Sequence, residues 1–281
     1  MGCISAAPVR AGQPVIDSPM NNKQSSPVTL ETLQSMKRDG EKIACLTTYD
    51  AGFTRVLEAA GVDMFIIGDS LGMVVMGYDT TVPVTMGDMV HHAASVARVG
   101  RHSYRVVDLP YQSYSNKDLA LANARRLVDE GGADMVKLEG GTDMAAIVAH
   151  IVGHGIPVCG HIGLLPQSIE SLGGYKVQGH GAEAAREILA DARALQAAGA
   201  GLVVMECIPA TLGAEITADL EIPTIGIGAG PDCDGQVLVL YDMLGITQGR
   251  LPRFVKDFMS EGGSIPGAIM AYVDAVRDGR Y

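Results

Sequence analysis

The fold class this sequence predicts is α/β, a (β/α)8 barrel of eight parallel strands, and three observations predict it. Short apolar runs rich in Val and Ile alternate with helical stretches eight times after residue 40. That is the pattern of a parallel sheet with helical crossovers. A partial repeat marks the junctions: a helix end, a glycine, an apolar strand, then an acid. It recurs at 58–69, 130–139 and 196–206. The length of 281 residues suits such a barrel, which typically takes about 250.

Taken in order, residues 1–27 are rich in Pro, Ser, Asn and Gln without periodicity and read as a disordered tail. Residues 28–281 read as one catalytic domain. A short helix at 28–38 stops at Gly40. Strands follow at 43–48, 64–69, 105–109, 135–139, 158–162, 202–206, 224–227 and 237–241. Helices fall at 51–60, 87–99, 117–130, 143–153, 182–198, 210–219 and 253–275. In the repeat, the glycine ends each helix by accepting a left-handed conformation. A doubly wound open sheet is the alternative. Against it, the first strand-to-helix turn is Tyr49-Asp50-Ala51-Gly52 rather than a GxGxxG loop.

The net charge of −11 argues against nucleic acid or an anionic membrane as the main partner. No apolar run is long enough to span a bilayer. Five widely spaced cysteines with no CxxC pair fit neither a disulfide framework nor a structural zinc site, and point to a reducing cytoplasm. The N-terminus has no signal-peptide pattern. Met1-Gly2-Cys3 resembles a lipidation start, but Ala6 stands where myristoylation needs Ser or Thr.

The repeat places Asp69, Asp108, Glu139 and Glu206 at the same end of successive strands. Buried carboxylates are costly unless something pairs with them, and in barrels that end carries the active site. Four together suggest one convergent site holding a cation. Asp69, Asp108 and Glu139 form an all-oxygen set that suits Mg2+; capping or ion pairing is the plainer alternative. Lys137 and Glu139, two apart, face the same way, as an internal salt bridge or as catalytic groups. His161, also at a strand end, is a candidate donor to a substrate oxygen. Glu206, if outside a metal shell and against apolar walls, would have the raised proton affinity a general base needs. Gly226-Ile227-Gly228-Ala229-Gly230 stands where barrels often bind phosphate, though a tight turn explains it equally. The stretch 172–179 reads as a lid. By alternation Cys207 should point away from the interior, and His91-His92 reads as surface or packing.

Several motifs occur in order: Gly68-Asp69-Ser70-Leu71-Gly72-Met73, Val107-Asp108-Leu109-Pro110, Val136-Lys137-Leu138-Glu139-Gly140-Gly141, Gly160-His161-Ile162-Gly163-Leu164, Gly173-Gly174-Tyr175-Lys176-Val177-Gln178-Gly179 and Met205-Glu206-Cys207-Ile208-Pro209. With them the chain, from about residue 28 to 258, resembles the ketopantoate hydroxymethyltransferase (3-methyl-2-oxobutanoate hydroxymethyltransferase) family. The resemblance implies a barrel of the phosphoenolpyruvate/pyruvate type, usually assembled as a homo-oligomeric decamer. It implies transfer of a one-carbon unit from 5,10-methylenetetrahydrofolate to 3-methyl-2-oxobutanoate, giving 2-dehydropantoate on the way to pantothenate. It places Asp69, Asp108 and Glu139 at a Mg2+ site, directly or through water. It places Asp69, Ser70, Asp108, Lys137 and His161 against substrate, and makes Glu206 the proton acceptor. The chain departs from the family at its long N-terminal extension and at Val107, where members often have Ala. Three rival readings are another metal-dependent lyase or phosphomutase on the same scaffold, a Lys137 Schiff-base aldolase, and a non-catalytic barrel.

Overall fold

The computed structural model describes residues 26–169, 174, 176–249 and 251–281. Most of the expected N-terminal tail, and residues 172, 173 and 175 of the expected lid, lie outside these. Among the described residues, eight parallel strands close into a barrel in chain order. They are β1 Ile43–Thr47, β2 Met64–Ile67, β3 Tyr104–Asp108, β4 Met135–Glu139, β5 Val158–Gly163, β6 Leu202–Glu206, β7 Thr224–Ile227 and β8 Gly235–Leu238. β1 and β8 close the ring, with Ile43 opposite Gly235 and Leu46 opposite Leu238.

Side chains alternate across each strand. One set, including Ile43, Cys45, Met64, Ile66, Val106, Met135, Cys159, Leu202 and Val204, fills the barrel interior. The other, including Leu46, Phe65, Ile67, Val107, Val136, Leu138 and Val203, packs beneath the helices. Those helices are α1 Leu30–Asp39, α2 Ala51–Ala59, α3 Leu71–Val74, α4 Met86–Ala97, α5 Lys117–Asp129, α6 Ala145–Gly153, α7 Ala182–Ala197, α8 Ala210–Asp219, α9 Leu240–Met243, α10 Met259–Gly262 and α11 Ile265–Arg277. None is long and apolar enough to cross a membrane.

Local chemistry sets the joints. Asp50, Thr85 and Asn116 accept backbone N–H groups at the starts of α2, α4 and α5, satisfying donors the helix leaves free. The repeat glycines Gly61, Gly132 and Gly199 take φ of 81°, 72° and 94°, the left-handed turn that delivers the chain into β2, β4 and β6. α1 has a different task. Its Leu33 is fully buried and, with Val28, Leu30 and Met36, joins the interior cluster. The helix therefore seals the N-terminal end of the barrel. Lys37 pins it there, its Nζ 2.7 Å from Asp234 Oδ2 and 2.8 Å from the Thr217 carbonyl.

The structure corrects several expected boundaries. β2 ends at Ile67, so Asp69 lies two residues beyond the strand. β8 is Gly235–Leu238 rather than 237–241. Val239 ends the extended run, and the apolar residues after it begin α9, whose Leu240 N–H donates to the buried Thr47 Oγ1 at 2.9 Å. The helix expected at 253–275 begins only at Met259 and breaks at Gly263, with φ 64°. It resumes behind the Ser264 cap with proline in its first turn. Apolar spacing carries across such a break, so periodicity alone merged the two. α3 falls in a stretch the sequence reading left unassigned. Other ends shift by one or two residues, as helix termini do.

Candidate active site

Strand alternation delivers Asp108, Lys137, Glu139, His161 and Glu206 to the interior at the C-terminal end, one or two steps beyond the apolar interior residues. Register sets neighbours: Asp108 lies opposite Lys137, and Glu139 opposite His161. Asp69 enters differently. Its own N–H donates to Asp108 Oδ2 at 3.2 Å, and Gln167 Nε2 donates to its Oδ2 at 2.7 Å. Asp69, Asp108, Lys137, Glu139 and His161 are each 5% exposed or less. The expected acids therefore do converge at one mouth.

Lys137 is the hub. Its Nζ lies 3.0 Å from Asp108 Oδ1 and 3.3 Å from His161 Nδ1. The first contact is an ion pair without hydrogen-bond alignment, since Oδ1 has no well-directed partner. Burial alone would lower the Lys137 pKa, but Asp108, Glu139 and Asp69 together outweigh it and raise it above the ordinary value. The ammonium can only donate, so His161 Nδ1 accepts and the ring proton sits on Nε2. That nitrogen lies 3.2 Å from Glu206 Oε2, close but without hydrogen-bond alignment. Burial, then Lys137, holds the His161 pKa well below its usual value, so the ring is neutral and its contact with Glu206 is not a salt bridge.

The carboxyls strain against one another. Asp69 is pushed up to about 7, by burial first and Asp108 second. Glu139 is raised well above the ordinary range by burial and by Asp69. Glu206, its side chain 14% exposed, is pushed up to about 7 by burial alone, against a smaller opposing pull from Lys137. One ammonium thus faces four carboxyl groups.

This is the setting in which a divalent cation fits. The donors are hard carboxylate oxygens, mutually repelling, and Asp108 Oδ1 is buried without a directed partner. No group of three or more His, Cys, Asp and Glu side chains among the described residues is arranged to hold a metal by itself. The mouth therefore offers a cation carboxylates without a complete protein cage. That matches Mg2+, which keeps several positions for water and substrate oxygens.

Around this set lies a shell the sequence reading missed. Gln167, in a 3-10 turn at Pro166–Ser168, bonds both Asp69 and Glu139. Tyr114 OH donates to Gln167 Oε1 at 2.5 Å and accepts from Glu139 N at 3.4 Å. Buried Tyr49 meets Ser70 hydroxyl to hydroxyl at 2.9 Å. The Tyr49 carbonyl accepts from His92 Nδ1 at 2.7 Å, which is the packing alternative for His92. A Pro-Gln pair closing an otherwise apolar loop was the available signal for Gln167.

Other expectations resolve locally. β6 ends at Glu206, so strand alternation does not reach Cys207, which sits half-buried at φ 48°. Gly163, at φ 90°, allows β5 to pass Glu206: a Cβ there would lie 2.3 Å from the Glu206 carbonyl oxygen. In the Gly226–Gly230 loop, Gly228 is covered by the Phe254 ring and Gly230 by Ala210, which favours the tight-turn reading. From the expected lid, Gln178 N donates to the Cys207 carbonyl at 2.8 Å, tying that stretch to the residue after Glu206. A cavity of about 130 Å³ lies outside the barrel wall, between Ile162 and Gly163 on one side and Ile188 and Asp191 of α7 on the other.

Comparison with known proteins supplies the remaining findings. The family model described as ketopantoate hydroxymethyltransferase matches residues 27–281. A 3-methyl-2-oxobutanoate hydroxymethyltransferase of Alkalilimnicola ehrlichii is 54% identical over 255 residues, covering 91% of this chain and 92% of its own. One from Stenotrophomonas maltophilia is 53% identical over 258, covering 92% and 94%. Among solved structures, a phosphoenolpyruvate phosphomutase from Streptomyces platensis subsp. rosaceus superposes with a TM-score of 0.58 at 15% identity, covering 77% of this chain and 83% of its own. A 2,3-dimethylmalate lyase of the PEP mutase/isocitrate lyase superfamily gives 0.57 at 16%, covering 90% and 86%. At such identities these two share the fold.

Proposed function

The chain belongs to the ketopantoate hydroxymethyltransferase family, and from that premise we propose how its buried side chains divide the reaction among them. The enzyme is a 3-methyl-2-oxobutanoate hydroxymethyltransferase of pantothenate biosynthesis. As a hydroxymethyltransferase it draws its one-carbon unit from 5,10-methylenetetrahydrofolate. The reading extends to a cytoplasmic homo-oligomer, a decamer by resemblance to the family, acting on small molecules.

Asp69 and Asp108 would hold Mg2+, with Glu139 turned toward the same space and engaged through water. The chemistry Mg2+ supplies when bound is charge stabilisation at the keto and carboxylate oxygens of the substrate, where anionic character develops. Lys137 has three donors. One reaches His161 Nδ1, Asp108 Oδ1 pairs with the charge at 3.0 Å, and that charge stabilises the substrate anion. Ser70, held by the Tyr49 hydroxyl, offers its own hydroxyl to the substrate. Glu206 takes the methine proton beside the ketone, and His161, neutral with its proton on Nε2, steadies the Glu206 carboxylate. The carbon so released bonds to the folate's methylene carbon as both C–N bonds of that carbon break; one water supplies the product hydroxyl, and the Glu206 proton and the remaining water proton end on the two folate nitrogens. Holding both reactants at one mouth contributes through proximity.

The observation that carries this division is Glu206. Burial pushes its pKa up to about 7 beside the neutral His161 ring 3.2 Å away, and a proton on it can come and go near neutral pH. Glu206→Gln should abolish substrate proton exchange into deuterated water while leaving keto-acid binding within a few-fold. Undiminished exchange would move the base elsewhere. Exhaustive chelation should stop turnover, and Mg2+ should restore it.

The Schiff-base alternative is disfavoured because Lys137 is held protonated by three carboxyls, and an imine needs the free amine.

A further inference from the structure

We propose that Gln167 is the positioning residue that orients the carboxylates of Asp69 and Glu139 toward the metal and substrate; the inference rests on the Mg2+ reading above. Gln167 is 5% exposed, and every polar atom of its amide is committed. Nε2 donates to Asp69 Oδ2 at 2.7 Å and to the Leu109 carbonyl at 3.0 Å. Oε1 accepts from Tyr114 OH at 2.5 Å. The backbone N–H donates to Glu139 Oε2 at 3.0 Å.

The partners also fix the amide's orientation. With nitrogen and oxygen exchanged, Oε1 would face a carboxylate and a carbonyl, two acceptors with no proton between them. One residue from the loop after β5 thus reaches the ends of β2, β3 and β4 at once. Both Nε2 hydrogens are used in this way and Oε1 is turned to Tyr114. The effect is on geometry: the side-chain amide occupies Asp69 Oδ2 and the backbone N–H occupies Glu139 Oε2, which leaves Asp69 Oδ1 and Glu139 Oε1 for other partners. An amide suits this place and a carboxylate does not. Glu at 167 would set a third acceptor against Asp69 and the Leu109 carbonyl.

Groups that orient metal ligands typically change metal affinity or activity by about 10–100-fold when removed. The test is calorimetric titration of Mg2+ into the metal-free enzyme. Wild type, Gln167→Met and Tyr114→Phe are compared, with thermal unfolding and kinetics alongside. Gln167→Met keeps the side chain's bulk and is expected to weaken Mg2+ binding by at least about tenfold. Its kcat should recover as Mg2+ is raised, a dependence that mere loss of packing would not create. Tyr114→Phe, which frees Oε1, should weaken Mg2+ binding in the same direction by a smaller factor. Mg2+ affinity within twofold of wild type in a folded Gln167→Met overturns the proposal. If that variant fails to fold, unchanged affinity in Tyr114→Phe overturns it instead. No Mg2+ uptake by wild type sinks the metal reading and this inference together, whereas uptake undiminished in the variants sinks this inference alone.

Discussion

The two ends of this barrel are built from the same strands and obey opposite rules. At the N-terminal end, α1 lays Leu33 and its neighbours over an interior of Ile, Met, Cys and Val, and its Lys37 is engaged by Asp234 and the Thr217 carbonyl. Two or three residues further along the same strands, four carboxyls confront one lysine, and two of them are pushed up to about 7. Burial lowers the free energy at the first end and raises it at the second. The fold tolerates the second because the first is well satisfied, and the unsatisfied end is where chemistry can be done.

The sharpest way to break this contrast is Lys137→Met. Removing the ammonium leaves Asp108 buried without its ion-pair partner, a change worth about 3–5 kcal/mol when one partner of a buried pair is lost. Denaturant unfolding of the metal-free protein should show that loss, and turnover should fall by at least about a hundredfold. Stability unchanged within 1 kcal/mol would mean that the Lys137–Asp108 pair contributes nothing net and that the charge imbalance at the mouth is wrong.

Leu33→Ala probes the other end at similar thermodynamic cost, about 2–5 kcal/mol for a fully buried leucine. Here kcat and KM, measured well below the melting temperature, should stay within twofold of wild type. A large kinetic change would show that the plug is coupled to the mouth.

The sequence made the architecture legible for a physical reason. Strand alternation and left-handed glycines are local, and the repeat at 58–69, 130–139 and 196–206 puts both in view, so seven of the eight strands lie within a few residues of their expected places. The acids were legible because a carboxyl ending an apolar run has no cheap reason to be there. What stayed hidden was whatever depended on contacts between distant segments. Gln167 meets Asp69 across 98 positions, and Tyr114 meets Gln167 across 53. Nothing local marks Tyr114, and for Gln167 the Pro-Gln pair names no partner. β8 and α9 were merged because Val237-Leu238-Val239-Leu240-Tyr241 is apolar throughout, and only the bond from Leu240 N to Thr47, 193 positions away, shows where the strand gives way.

Effects of pH at the mouth should oppose stability and activity in sign. Glu206 holds its proton up to about 7 in the folded state against an ordinary 4.5. Between those values the native protein carries a proton that the unfolded chain has released. Stability of the metal-free enzyme should therefore fall as pH rises from 4.5 to 7 and level off above. Asp69 acts in the same direction. Over the same window kcat/KM should rise by up to tenfold per pH unit and plateau above about 7, because the base must be ionised. Lys137, raised above its ordinary value, imposes no alkaline loss below pH 10. Glu206→Gln should make the stability profile shallower. Parallel rather than opposed slopes for stability and activity would sink the assignment of Glu206 as base.

The smallest effect comes from Thr29→Ala. Thr29 and Thr32 form a reciprocal cap at the start of α1, each hydroxyl accepting the other's backbone N–H at 3.2–3.3 Å. Losing an N-cap typically costs about 1 kcal/mol, and this pair is exposed to solvent, which competes for the same N–H groups. The expected loss is therefore about 1 kcal/mol at most, read as a small drop in melting temperature with no change in kinetics. Its value is as a gauge of how firmly α1 is seated. If the helix is held chiefly by Leu33 and Lys37, the loss stays at the scale of a local cap. If instead the cap governs whether the plug docks at all, Thr29→Ala should approach the cost of Leu33→Ala, and the N-terminal end would prove less secure than its packing implies.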